Sequence, residues 1–185
     1  MTLLTLLSLP AWGAVRLFTG LEGGYSAVLG DWYEQYKGGP LAVAKIGVQA
    51  DRYTLTEVSV YYSPHDGKQE GTYINFLNLG LGARFRVAPL NPLDPYVYIG
   101  AAASNADEVY PVKPPGSDEY EKVNEWTTDW MVGFGSEVKL FRKTTLNYGP
   151  VLHFTRVYFP KADAPNSRSE GYMALDVKVG INYYF

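Results

Sequence analysis

Cysteine is absent from this chain of 185 residues, and no uninterrupted apolar run reaches 18 residues. The first absence excludes disulfides and thiolate chemistry, and the second excludes a helical membrane span. Charged residues make up only 19%, with a net charge of -3 and no cluster of basic residues. Because nucleic-acid binding uses clustered Lys and Arg, we expect no nucleic-acid partner.

Signals for metals and cofactors are also missing. Two histidines without cysteine do not make a zinc site. Gly80-x-Gly82 and Gly133-x-Gly135 lack the third glycine of a dinucleotide fingerprint. The acidic stretch 105–125 has carboxylates suited to calcium, but their spacing matches no calcium loop, which favours a solvated loop. We therefore predict neither a metal nor a cofactor.

The N-terminal segment is apolar and uncharged, with leucines up to Leu9, then Pro10 and small residues at Ala11, Gly13 and Ala14. This order is typical of a secretory signal peptide, which we predict over 1–14, with one domain over 15–185. A basic region does not precede the leucines, which leaves open a start codon upstream of Met1. The alternative is a buried N-terminal strand or helix.

From Val15 onward the chain alternates between apolar and polar or small residues, which is the side-chain period of a β-strand. In the last segment, Met173, Leu175, Val177, Val179, Ile181, Tyr183 and Phe185 share one face, and Asp176, Lys178, Gly180 and Asn182 share the other. Seven earlier segments sort in the same way: 16–27, 42–49, 54–62, 77–87, 97–104, 129–140 and 146–155. Each is close to the roughly 9–11 residues that a strand needs to cross a bilayer.

The links between these segments alternate in length. Long polar links cover 29–40, 63–71, 105–125 and 160–170, and short links lie near 50–52, 88–95 and 142–144. Long loops on one side and tight turns on the other are typical of outer-membrane barrels. We therefore predict an all-β fold: a transmembrane antiparallel up-and-down β-barrel of eight strands with four long extracellular loops.

The narrow interior of an eight-stranded barrel indicates which face of each strand points outward. The interior of an eight-stranded barrel holds little more than packed side chains, so the bulky apolar faces fit better outside, against lipid. The opposite faces place charges in the lumen that nearly cancel. The predicted network contains Arg16, Lys45, Arg84, Arg86, Lys139 and Lys178 with Glu22, Glu57, Asp129, Glu137 and Asp176. The alternative is a soluble, lipocalin-like barrel with these charges on a solvated face.

Aromatic residues gather near the predicted strand ends, as in the aromatic girdles of membrane barrels. We assign Trp32, Tyr33, Tyr61, Tyr62, Trp126, Trp130, Tyr158, Phe159, Tyr183 and Tyr184 to two such interfaces.

In this pattern the segment 15–185 resembles the OmpA/OmpX-like small outer-membrane barrels. The sharpest element of the resemblance is the end of the chain, where Phe185 follows Val177, Val179, Ile181 and Tyr183 at alternate positions. In that family such a strand is read by the barrel-assembly machinery, and a strand can pair with an open sheet edge. The resemblance implies a place in the bacterial outer membrane among its lipids and lipopolysaccharide.

The function that we predict is an envelope structural and surface-interaction module that is not an enzyme. Its extracellular loops would contact an external ligand, with Trp32, Tyr33 and Tyr36 forming an exposed aromatic patch. A narrow small-solute channel is an alternative, although the charged side chains should plug the lumen.

A second alternative is a lipid A deacylase similar to the PagL type. In that reading Thr155 is the nucleophile, His153 the base and Glu170 the residue that orients it. Two residues depart from the family, because Thr155 replaces a Ser and Arg156 replaces an Asn. Alternation also places His153 and Thr155 inward, whereas the family's active site faces lipid; a β-bulge would reverse this.

Overall fold

The computed structural model describes residues 15–87, 92–111, 120–159 and 168–185. The predicted signal peptide, 1–14, lies outside them. The strands are β1 (Arg16–Leu29), β2 (Gly39–Gln49), β3 (Thr54–Asp66), β4 (Tyr73–Arg86), β5 (Leu93–Pro111), β6 (Tyr120–Phe141), β7 (Thr144–Phe159) and β8 (Arg168–Tyr184). A short 3₁₀ helix, Gly30–Glu34, follows β1.

The eight strands form one closed barrel in which every neighbour along the chain is an antiparallel partner. The barrel closes between β1 and β8, where Thr19 lies opposite Tyr183 and Leu29 opposite Met173. Arg16 and Tyr184 thus lie near one end, which we call the terminal end, and the opposite end is the distal end. The predicted barrel is confirmed. Among the described residues, no helix is both long and apolar enough to cross a membrane.

Apolar side chains cover the outside of the barrel. Leu21, Ile46, Leu79, Phe134 and Val177, from five different strands, are all exposed. Their chain neighbours on the other face, such as Glu22 and Lys45, are buried in the lumen. A soluble barrel would have the opposite polarity, so the exterior is suited to acyl chains.

The interior is bulkier than the sequence pattern indicated. Alternation predicts polar, small and charged residues there, but Phe18, Tyr61, Tyr96 and Tyr98 are buried inside. Glycines face several of these rings: a Cβ on Gly82 would lie 2.4 Å from the Tyr98 hydroxyl. The glycines therefore make room for large rings from the neighbouring strand, which strand alternation alone does not reveal.

The distal links are shorter than predicted because the strands continue into them. The prediction of a long link over 63–71 is wrong, since β3 runs to Asp66 and β4 starts at Tyr73. Within 105–125, β5 extends to Pro111 and β6 starts at Tyr120; residues 112–119 lie outside the described residues. Polar pairs hold this β5–β6 hairpin, including two amide hydrogen bonds between Asn105 and Asn124, of 2.9 and 3.2 Å. The outward face there carries Asn105, Asp107 and Asn124, so the apolar alternation is lost although the strands still pair.

Candidate functional site

The lumen holds most of the predicted charges in separate clusters, of which the first lies at the terminal end. In this Glu137 cluster, Arg86 Nη2 lies 2.7 Å from Glu137 Oε2, and the Tyr184 hydroxyl donates to Glu137 Oε1 at 2.7 Å. Asn182 and Thr145 also donate to the same carboxylate. The carboxylate thus has several donors around it, as a buried charge requires.

The second cluster, which we call the Glu22 cluster, contains Glu22, Lys45, Arg84, Glu57, Lys178 and Asn147. Arg84 Nη2 bridges two acids, at 3.1 Å from Glu22 and 3.0 Å from Glu57. Lys178 Nζ lies 3.1 Å from Glu22 Oε2, and Lys45 pairs with Glu22 as well. One buried carboxylate therefore contacts three cations, and all these side chains are buried.

The third cluster, which we call the His153 cluster, lies further towards the distal end. His153 Nδ1 is 2.6 Å from Asp129 Oδ2, and its Nε2 is 2.8 Å from Asp176 Oδ2. Both ring nitrogens are donors only in the imidazolium form, so this geometry suits a protonated histidine between two carboxylates. The Thr155 hydroxyl donates to Asp129 Oδ1 at 2.8 Å.

An aromatic plug closes the distal end. It consists of Trp32, Tyr36, Phe76 and Tyr172 with His65, all buried. Trp32 stacks on Tyr36 with ring centroids 5.5 Å apart, and Phe76 packs on Tyr172 at 4.5 Å. Between this plug and the His153 cluster lies a cavity of about 20 Å³ lined by both, enough for a single water molecule.

Two predicted members of the charge network are not buried. Arg16 and Lys139 are exposed near the terminal ends of β1 and β6, although alternation assigned them to the lumen. At a barrel end an inward-facing long side chain reaches water, so it does not need a buried partner. A buried carboxylate that we did not predict, Glu108, accepts a hydrogen bond from Tyr36.

The predicted aromatic patch in the first link is also wrong. Trp32 and Tyr36 are buried in the plug, and only Tyr33 is exposed, with Lys68 Nζ 4.1 Å above its ring. The 3₁₀ helix turns Trp32 back over the lumen, and Gly30 begins it with a positive φ of 70°. The sequence predicts a polar link here, and no residue in the segment indicates that it folds back over the lumen.

Of the predicted girdle residues, Tyr33, Tyr62, Trp126, Trp130 and Tyr183 are exposed. Tyr61 and Tyr184 face the lumen, together with Trp32, so their assignment to the girdle is wrong. Adjacent residues on a strand point to opposite faces, so a Tyr-Tyr pair places only one ring in the lipid. The side chains of Tyr158 and Phe159 lie outside the described part of the structure.

The deacylase residues do not form a nucleophile and base. Both ring nitrogens of His153 lie against carboxylates, and the Thr155 hydroxyl donates to Asp129. Both side chains are buried on the lumenal face of the wall. Glu170 lies in β8, and its side chain is outside the described residues. No group of three or more His, Asp and Glu in the described residues could hold a metal ion.

The C-terminal strand presents the predicted assembly signal on the outside. Val177, Val179, Ile181, Tyr183 and Phe185 are all exposed, and Tyr183 and Phe185 pack edge to face at 5.3 Å. The Phe185 amide donates to the Leu17 carbonyl at 2.9 Å, which extends the β1–β8 seam to the last residue.

No protein-family model matches the chain. No curated protein matches it either. Solved structures do match. Neisserial surface protein A has a TM-score of 0.65 at 12% identity, over 94% of this chain and 100% of that one. A major outer membrane protein from Thermus thermophilus gives the same values.

A third match is Ail, the attachment invasion locus protein of Yersinia pestis, solved in complex with a heparin analogue. It has a TM-score of 0.59 at 14% identity, over 92% of this chain and 99% of that one. At such low identity these matches establish the fold alone. Together with the lipid-facing exterior, they identify the chain as a transmembrane barrel with the fold of the small eight-stranded outer-membrane proteins.

Proposed function

We propose that this protein is a non-conducting outer-membrane barrel that presents an extracellular surface for contacts with other molecules. The observation that supports this most directly is the filled lumen. The Glu137, Glu22 and His153 clusters and the aromatic plug follow one another along the barrel axis. The surface beyond the membrane is then what remains for interaction.

The distal end, which we take as extracellular, carries the features of such a surface. The β5–β6 hairpin extends past the apolar exterior and is held by its own polar pairs, including Lys122 Nζ at 3.1 Å from Asp107. Tyr33 is exposed beside Lys68 at the same end. Exposed aromatic and charged side chains on a rigid support favour contacts with a partner.

The route to the membrane is part of the same proposal. The exposed alternate residues from Val177 to Phe185 support recognition of β8 by the barrel-assembly machinery, since they form an apolar strand face. Once inserted, the apolar exterior contacts outer-membrane lipids and lipopolysaccharide.

The closed lumen is tested by electrical recording. We expect the purified barrel to give no discrete conductance in planar bilayers. The double variant Trp32→Ala, Tyr172→Ala, which removes most of the plug, should also stay silent, because the Glu22 and Glu137 clusters still fill the lumen below it. Discrete openings from the wild-type protein would instead support the small-solute channel.

The surface role is tested with whole cells as the probe. We expect cells that carry the protein to sediment together faster than cells without it, and Tyr33→Ser to reduce this difference. Tyr62→Ser is the matched control, because Tyr62 is equally an exposed tyrosine but lies on the lipid-facing wall. Equal sedimentation with and without the protein would argue against self-adhesion as the surface role.

A further inference from the structure

The barrel wall separates between β6 and β7 at the distal end. In the described residues, the register of these strands begins where Asp129 lies opposite Thr155. Beyond that point β6 continues back to Tyr120 and pairs there with β5. The other strand, β7, continues to Phe159 and pairs there with β8. The two strands therefore diverge and leave a notch in the wall.

A pocket of about 680 Å³ lies at this notch. Its described lining comes from three strands: Thr127, Thr128 and Trp130 of β6, Phe154 and Thr155 of β7, and Gly171, Tyr172 and Met173 of β8. The volume is within the range of roughly 300–1,000 Å³ that is typical of small-molecule sites. None of these lining side chains is charged.

Gly171 keeps part of this pocket open. A Cβ built on it would meet no atom within 4 Å, and the residue is exposed. Its φ is not positive, in contrast to Gly30, Gly71 and Gly149, so the backbone does not require glycine there. A larger side chain at this position would occupy the pocket without straining the strand.

The pocket opens on the wall that faces lipid. Trp130, which lines it, is 62% exposed, and Trp126, four residues away on the same face of β6, is 67% exposed. Tryptophans of this kind lie at the boundary between acyl chains and headgroups. An apolar occupant would thus enter sideways from the leaflet, while hydroxyl-bearing residues such as Thr128 lie near its polar end.

We propose that this notch, which we call the β6–β7 pocket, binds one long-chain amphiphile with an uncharged polar head, taken from the distal leaflet. The apolar chain lies against Trp130, Phe154 and Met173. The occupant is a chain of the bilayer because the pocket faces acyl chains and its described lining offers no charge to a soluble ion. This site is separate from the proposed surface role and requires only that the barrel lies in a membrane.

Tryptophan quenching tests the proposal. The protein carries Trp12→Phe and Trp126→Phe, so that Trp130 reports on the pocket while Trp32 stays inside the lumen. It is placed in lipid nanodiscs, and a long-chain alcohol brominated near its middle is added in steps. We expect quenching that saturates at a low mole fraction, because a discrete site fills before the bulk lipid contributes.

Gly171→Leu should weaken this binding roughly ten-fold, because the leucine displaces about two methylene groups of the chain. The matched control is Gly23→Leu on β1, an exposed glycine where an added Cβ would have its nearest neighbour at 3.8 Å. The fluorescence of Trp130 in this control should be quenched as strongly as in the protein without a glycine substitution. Folding of each variant is checked by heat-modifiable gel mobility, and Thr128→Leu narrows the pocket from the β6 side if Gly171→Leu does not fold.

Quenching that rises linearly in the parent and in both glycine variants would overturn the proposal, since that is ordinary contact with bulk lipid. Saturable quenching unaffected by Gly171→Leu and Thr128→Leu would overturn it as well, because the alcohol would then bind elsewhere.

Discussion

Replacing Glu22 by Gln is expected to destabilise the folded barrel by about 3–5 kcal/mol, which is the cost of removing one partner from a buried ion pair. Glu22 contacts Lys45, Arg84 and Lys178 in the lumen. Without its charge, Glu57 is the one acid among the described residues that remains within ion-pair distance of Arg84. The amide keeps the shape of the side chain, so the loss is mainly electrostatic.

The measurement is the free energy of unfolding in a denaturant titration of the barrel in lipid vesicles. Glu34→Gln, at an exposed position of the 3₁₀ helix, is the control and should change this energy by no more than about 0.5 kcal/mol. Adding Lys45→Met to Glu22→Gln should restore part of the loss, because one uncompensated cation is removed. A single variant as stable as the wild type would show that the Glu22 cluster is hydrated rather than buried.

Replacing Leu81 by Arg is also expected to lower the free energy of unfolding substantially. Leu81 is 67% exposed and lies near the middle of β4, on the apolar face that it shares with Leu77, Leu79 and Phe85. An arginine on the lipid face at the bilayer midplane costs about 2–4 kcal/mol in membrane barrels. On the surface of a soluble barrel the same change would cost almost nothing.

The same vesicle titration measures this variant. Leu81→Ala is its control, because it removes the apolar contacts without adding a charge, and it should be clearly less destabilised than Leu81→Arg. Equal stability of the two variants would mean that β4 does not face acyl chains, and the membrane orientation of the barrel would have to be abandoned.

Strand alternation determined the number of strands, their order and the direction of each face. A period of two assigns a side to every residue once one is known, and an eight-stranded barrel has no room for all the bulky faces inside. This reasoning predicts Lys45, Arg84 and Asp176 in the lumen, and they are buried there.

Only the tertiary structure decided what depends on neighbours across the barrel. Trp32 and Tyr36 belong to a polar link. Trp32 nevertheless packs on Tyr172, and Tyr36 donates a hydrogen bond to Glu108, and both partners are far away in sequence. Arg16 and Lys139 have the inward parity, but their height along the axis leaves them exposed. The divergence of β6 and β7 also depends on how far the two strands pair, which alternation does not specify. Alternation specifies the side of each residue but neither its height nor its partners, so it could predict which charges enter the lumen and not which of them pair there or what closes its distal end.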